Sequence, residues 1–156
     1  MKKGLEKALL IILGVFGVAT MITPAFRALN SSSTSKIWTY SLYIRIFGGG
    51  SAKVGNTGLL TLAWILSLAA LVTTIVLIIL SLVGFEMSRK VSIITYSVIM
   101  VFYAVGATLV IFAPQLIGNT TDAWLGIGSI LTSCFMYAGF IVSLIFVLNY
   151  SLRKED

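Results

Sequence analysis

The side chains able to do chemistry in the apolar parts of this chain are almost all hydroxyls. Four long apolar runs carry Thr20 and Thr23, then Thr61, Ser67, Thr73, Thr74 and Ser81, then Thr95, Ser97 and Thr108, then Ser129, Thr132, Ser133 and Ser143, with no Asp, Glu, Lys, Arg or His in their interiors. A hydroxyl becomes a nucleophile only beside a general base, and the chain contains no histidine. Triads, His-based acid/base chemistry and zinc sites built from Cys and His are excluded. The one cysteine, Cys134, cannot form an intramolecular disulfide. Flanked by Ser133 and Phe135 in an apolar run, it sits where a thiolate is disfavoured. In lipid a Ser or Thr hydroxyl can bond the carbonyl one turn back, so the structural reading of these hydroxyls outweighs a pore-lining one. Proton relays, ion-coupled transporters and voltage sensors place ionisable groups at membrane depth; here those groups are missing, and with them any expectation of an enzyme, a cofactor or a metal.

Two further sets of residues stand out within the runs. Gly14, Gly17, Gly106 and Gly139 are small positions at which helix backbones can approach closely, the main source of helix association in lipid. Packing inside one bundle and contact between subunits are both open uses for them. Tyr96 and Tyr103, seven residues apart, share a helix face, as Cys134, Tyr137 and Phe140 roughly do. Aromatic stripes of this kind are core packing or the wall of a cavity for a lipid or quinone. Glu86 is expected to pair with Arg89 or Lys90 if helix two continues into the polar turn.

The least lipid-like segment lies between the first two runs. After a polar stretch, Asn30 to Thr34, residues 37–47 read IWTYSLYIRIF. At period two, Trp38, Tyr40, Leu42, Ile44 and Ile46 fall on one face and Ile37, Thr39, Ser41, Tyr43, Arg45 and Phe47 on the other, so a strand ending at Gly48 is expected. An amphipathic helix lying in the membrane interface is the competing assignment. A lone strand leaves its backbone groups unpaired, and 51–57 is a poor second strand. Pairing with a partner's strand, or folding back as an irregular hairpin, would satisfy it. Trp38, Tyr40, Tyr43, Arg45 and Phe47 are the candidate partner-binding residues. From Lys7 to Glu86 there is no acid, so Arg27, Lys36, Arg45 and Lys53 leave this loop positive. Anionic headgroups, an acidic partner or plain solvation would all suit that charge.

The elements that must position these residues follow from composition. The chain has 156 residues, 58% hydrophobic and 10% charged, with a mean hydropathy of +1.05. A soluble domain has about 25% charged residues, so lipid is the expected solvent. The apolar runs predict helices over 8–26, 58–85, 91–113 and 125–148, joined by loops 27–57 and 114–124, in one membrane domain covering 1–156. The first run is about 28 Å long as a helix, longer than a cleavable signal core, so it is read as retained. Pro24 is placed in its last turn, where the lost hydrogen bond matters least. The second run, about 42 Å, exceeds a hydrocarbon core of about 30 Å and must tilt or project.

The net charge of +6 would suggest nucleic acid in a soluble protein, but here the basic residues flank apolar runs, and no nucleic acid is expected. Lys2, Lys3, Lys7, Arg89, Lys90, Arg153 and Lys154 fall on one side, against Arg27, Lys36, Arg45 and Lys53 on the other. The excess of positive charge places both termini in the cytoplasm, with the cell membrane as the expected location.

Four spans with a longer, strand-bearing first outer loop resemble the layout of claudin-type tetraspan proteins. The loop signature of that family pairs cysteines beside a Trp-rich element; Trp38 stands without any cysteine, so the resemblance is one of architecture alone. Small multidrug transporters also have four helices but carry a Glu within the first, and 8–26 has none. The expected function is a non-enzymatic accessory or structural subunit of a membrane protein complex, bound to another integral membrane protein or to copies of itself through helix faces and the first outer loop. A small channel, holin-like pore or transporter component is the alternative.

Overall fold

A computed structural model describes residues 3–22, 24–30, 33–41, 58–112, 123–124 and 127–152, with side chains described over 4–22, 62–112 and 130–152. Four helices dominate: α1 (Lys3–Ile22), α2 (Gly58–Val83), α3 (Arg89–Ile111) and α4 (Ile127–Leu152). Each contains a stretch long and apolar enough to cross a membrane, from 19 to 23 residues. They form an up-down-up-down bundle. Every helix packs on its neighbours in sequence, and α1 closes the ring against α4.

Helix ends follow local chemistry. The first helix ends at Ile22, four residues before the expected end at 26, and extended backbone begins at Pro24. Proline has no N–H to give and disfavours helical backbone at the residue before it, which acts here as a stop and not as a tolerated last-turn residue. At the other end, α1 starts at Lys3, drawing Glu6 and Lys7 into its first turns. α2 stops at Val83 because Gly84 takes φ +81 and the Phe85 N–H donates to the Leu80 carbonyl at 3.0 Å. This is a Schellman ending, whose left-handed residue is most cheaply a glycine. Residues 85–88 are non-helical, so the helical spacing on which a Glu86 pair with Arg89 or Lys90 was expected does not exist. At 26 residues, α2 is about 39 Å long.

At the end opposite the termini the backbone pairs as a small antiparallel sheet in the order β2-β1-β3, with β1 at Pro24–Asn30, β2 at Ser33–Ser41 and β3 at Ala123–Trp124. β1 lies against α4. Ala28 pairs with Trp38 and Arg27 with Thr39, and the register shifts between Pro24 and Phe26 and again between Leu29 and Asn30. The strand expected over 37–47 coincides with β2 at 37–41 only; 42–57 lie outside the described residues. Its partner comes from upstream, from residues assigned by composition to the end of the first helix and the polar stretch after it.

The core is centred on Tyr103, whose side chain is 0% exposed. Small residues on two other helices make room for it. A β-carbon placed on Gly139 would lie 3.0 Å from two atoms of the Tyr103 ring, and one on Gly17 would lie 2.8 Å from both the Tyr103 hydroxyl and Leu71 Cδ1. Gly106 faces Ser67 Oγ at 3.3 Å and Met136 Sδ at 3.4 Å by the same measure, and Gly14 faces Ile78 Cδ1 at 3.0 Å. Around this centre Leu13, Ile99, Val110, Met136 and Phe146 are fully buried.

Overpacking a dense interior costs about 1–3 kcal/mol. G17A and G139A should therefore unfold below wild type in a detergent thermal melt, whereas G4A, where nothing lies within 4 Å, should hold or gain stability through helix propensity. The Tyr103 hydroxyl is buried and has no hydrogen-bond partner among the described residues. Leaving such a group unsatisfied costs about 1–3 kcal/mol, so Y103F should match or exceed wild-type stability, and Y103A should lose about 3–5 kcal/mol by opening a cavity. A large loss in Y103F would show that the hydroxyl is satisfied after all.

Candidate interaction site

Many hydroxyls of the four helices are engaged by their own helices. Thr20 donates to the Phe16 carbonyl, Ser67 to Ala63, Thr73 to Ala69, Thr74 to Ala70 and Thr108 to Ala104, each at 2.8 Å, and Ser143 donates to Gly139 at 2.9 Å. Every one of these bonds spans four residues, the back-bonding that lets a hydroxyl sit in an apolar setting at little cost. Ser133 instead crosses from α4 to the Ala107 carbonyl of α3 at 3.4 Å. Side-chain oxygens that already hold a backbone partner have less capacity left to solvate an ion or a file of water.

A second polar pair lies on the outside of the bundle. Thr108 of α3 and Tyr137 of α4 bring their hydroxyls to 3.5 Å at an exposed position. Cys134, three residues before Tyr137 and so on a neighbouring part of the same helix face, is a free and exposed thiol. Exposed Val101, Val105, Ile130, Leu131 and Ile141 make up much of the rest of the α3 and α4 exterior. The Thr108–Tyr137 pair is a polar contact point on a surface otherwise suited to lipid.

Among the described residues, the end carrying the termini holds the densest polar network. Arg89, first residue of α3, donates from Nε to the Tyr150 carbonyl at 2.8 Å and from Nη2 to the Ser151 carbonyl at 2.7 Å. The last carbonyls of a helix have no intrahelical donor and carry partial negative charge; a guanidinium fork from the adjacent helix supplies both needs at once. The Tyr150 hydroxyl donates to Glu6 of α1. Tyr96 of α3 stacks on Phe146, centroids 4.3 Å apart, and on Tyr150 at 5.9 Å. Three helices are thus tied together within one layer. Sequence reasoning missed it: a C-terminal cap drawn from another helix leaves no local spacing signature, and Glu6 and Tyr150 are 144 residues apart.

Of the candidate partner-binding residues, Trp38 and Tyr40 belong to β2, opposite Ala28 and Phe26 in register. Tyr43, Arg45 and Phe47 lie outside the described residues. Gly14, Gly17, Gly106 and Gly139 all face side chains of neighbouring helices in the same chain. Tyr96 and Tyr103 share a face as their spacing requires, and both are buried. Among the described residues no group of His, Cys, Asp and Glu could hold a metal ion. No family model, curated protein or solved structure matches this chain.

The Arg89 cap predicts a local effect. R89Q should speed amide exchange over the last turn of α4 and lower stability by about 1–3 kcal/mol, while exchange around Tyr103 stays slow. Uniform loosening of the whole bundle would show that Arg89 acts elsewhere.

Proposed function

We propose that this chain is an integral membrane protein working as a non-enzymatic accessory or structural subunit of a membrane protein complex, engaging a partner through the outer face of α3 and α4 and through the first outer loop. One observation carries the reading: around a filled centre at Tyr103 several buried hydroxyls are held by their own helices, while an exposed hydroxyl pair, Thr108 with Tyr137, lies on the outside, Thr108 already donating to the Ala104 carbonyl and keeping acceptor capacity. Hydrogen bonds between helices in lipid contribute about 0.6–2 kcal/mol each, so an outward pair is a natural point for another helix to join. In the loop, β2 is an edge strand among the described residues, and an edge can accept a further strand. The basic excess at the end carrying Arg89 and Lys90 supports cytoplasmic termini.

The second reading, a pore made by several copies, draws on the same outward pair, because a path lined by hydroxyls would then run between subunits. The two separate in one experiment. The full chain is isolated from carbonate-washed membranes in mild detergent, after crosslinking both at Cys134 with a bismaleimide and at a photoreactive residue replacing Tyr43. Adducts with a distinct membrane protein at fixed ratio are expected. A ladder of this chain alone, together with dye leakage from liposomes containing it, would overturn the accessory reading in favour of the pore. Purely intrachain products at position 43 would remove the outer loop from the interface.

A further inference from the structure

A cavity of about 380 Å³ opens at the bundle end that carries the termini, between the start of α1, the end of α2, the 84–88 turn, the start of α3 and the end of α4. That volume falls within the range of about 300–1,000 Å³ typical of small-molecule sites. Its wall has two chemistries. Leu10, Leu77, Leu80 and Phe85 form an apolar part, while Glu6, Lys7, Glu86 and Ser92 bring two carboxylates, an ammonium and a hydroxyl to the same space. Ser92 is 1% exposed, and its hydroxyl has no hydrogen-bond partner among the described residues. Buried polar groups are almost always satisfied, so an unpartnered hydroxyl in a cavity wall marks a place for a polar ligand atom.

We propose that this cavity holds the headgroup of a zwitterionic phospholipid bearing an ammonium group, a phosphoethanolamine lipid of the leaflet at the termini side. The assignment rests on reading the four helices as membrane spans, and it is independent of which partner the chain engages. Charge selects the headgroup. A purely anionic one would meet the carboxylates of Glu6 and Glu86, and a purely cationic one would meet Lys7; a headgroup carrying both signs offers its ammonium to the carboxylate side and its phosphate to Lys7. Glu6 accepts a hydrogen bond from Tyr150, but a carboxylate has about four acceptor sites and retains capacity for an ammonium donor. The apolar wall runs from the core residues Leu10 and Leu77 to the half-buried Leu80 and the exposed Phe85, and the acyl chains would leave past the last two. A soluble amine would have no use for that wall.

The test is native mass spectrometry of the full chain in detergent, titrated with phosphatidylethanolamine and with phosphatidylglycerol of the same acyl chains. Carbonate extraction is performed first, so that a failure of membrane insertion is seen separately from a failure of lipid selection. Wild type should retain phosphatidylethanolamine about tenfold better, the effect of one charge-assisted contact. Glu86→Gln and Lys7→Gln should each bring the two lipids to within about twofold. Glu6→Gln should do the same; as Glu6 also holds Tyr150, a fall in its melting temperature leaves the other two variants to decide. Equal retention of the two lipids by wild type, or an undiminished preference in both Glu86→Gln and Lys7→Gln, would overturn the proposal. So would displacement of the lipid by equimolar free phosphoethanolamine, since the acyl chains would then contribute nothing.

Discussion

The close fit of the Tyr103 ring between two glycines is the contact on which the rest of the bundle depends. On the proposed membrane reading, the helices gain nothing from burying apolar surface against one another, so their association relies on dispersion contacts that need near-contact distances. Tyr103 is the largest fully buried side chain, and it brings α3 into contact with α1 at Gly17 and with α4 at Gly139. Any larger residue at either glycine would push one helix outward and loosen contacts along its length. Gly106, on the helix that carries Tyr103, brings α3 against Ser67 of α2 and Met136 of α4 in the same way.

That packing shapes what the polar groups can do. Around the filled centre, Thr20, Ser67, Thr74 and Ser143 find their acceptors on their own helices at a spacing of four residues, and Ser133 finds one across the α3–α4 contact. Polar chemistry that needs room is left to the ends and the exterior. At the end carrying the termini, Arg89 satisfies carbonyls that α4 cannot satisfy itself, and the Glu6–Tyr150 bond joins α1 to the same layer. Both interactions stiffen the frame around the cavity beside them. The exterior keeps a single described polar pair between α3 and α4, Thr108 with Tyr137.

The two ends of the bundle are built on different principles. One is closed by a tight Schellman turn at Gly84 and by side chains reaching between helices. The other is spanned by long connections whose described backbone pairs in the order β2-β1-β3. Proline accounts for much of that difference. Pro24 ends α1 early enough to free seven residues for extended pairing, and a proline is tolerated as the first residue of a strand.

The number and approximate position of the helices were legible in the sequence, because apolar runs of about 20 residues have few other uses. The small positions at Gly14, Gly17, Gly106 and Gly139 and the shared face of Tyr96 and Tyr103 were also readable, since composition and a period of 3.6 are local properties. What those positions touch was not. That Gly17 and Gly139 meet the same tyrosine, that Arg89 caps α4, and that Glu6 reaches Tyr150 are pairings between residues distant in the chain. The partner of the 37–41 strand was hidden for a related reason: residues 24–30 follow directly on an apolar helix, and composition alone assigned their start to it. Only tertiary structure decides such matters, because a sequence states what each side chain can do, while the distance to its partner is set by how the helices pack.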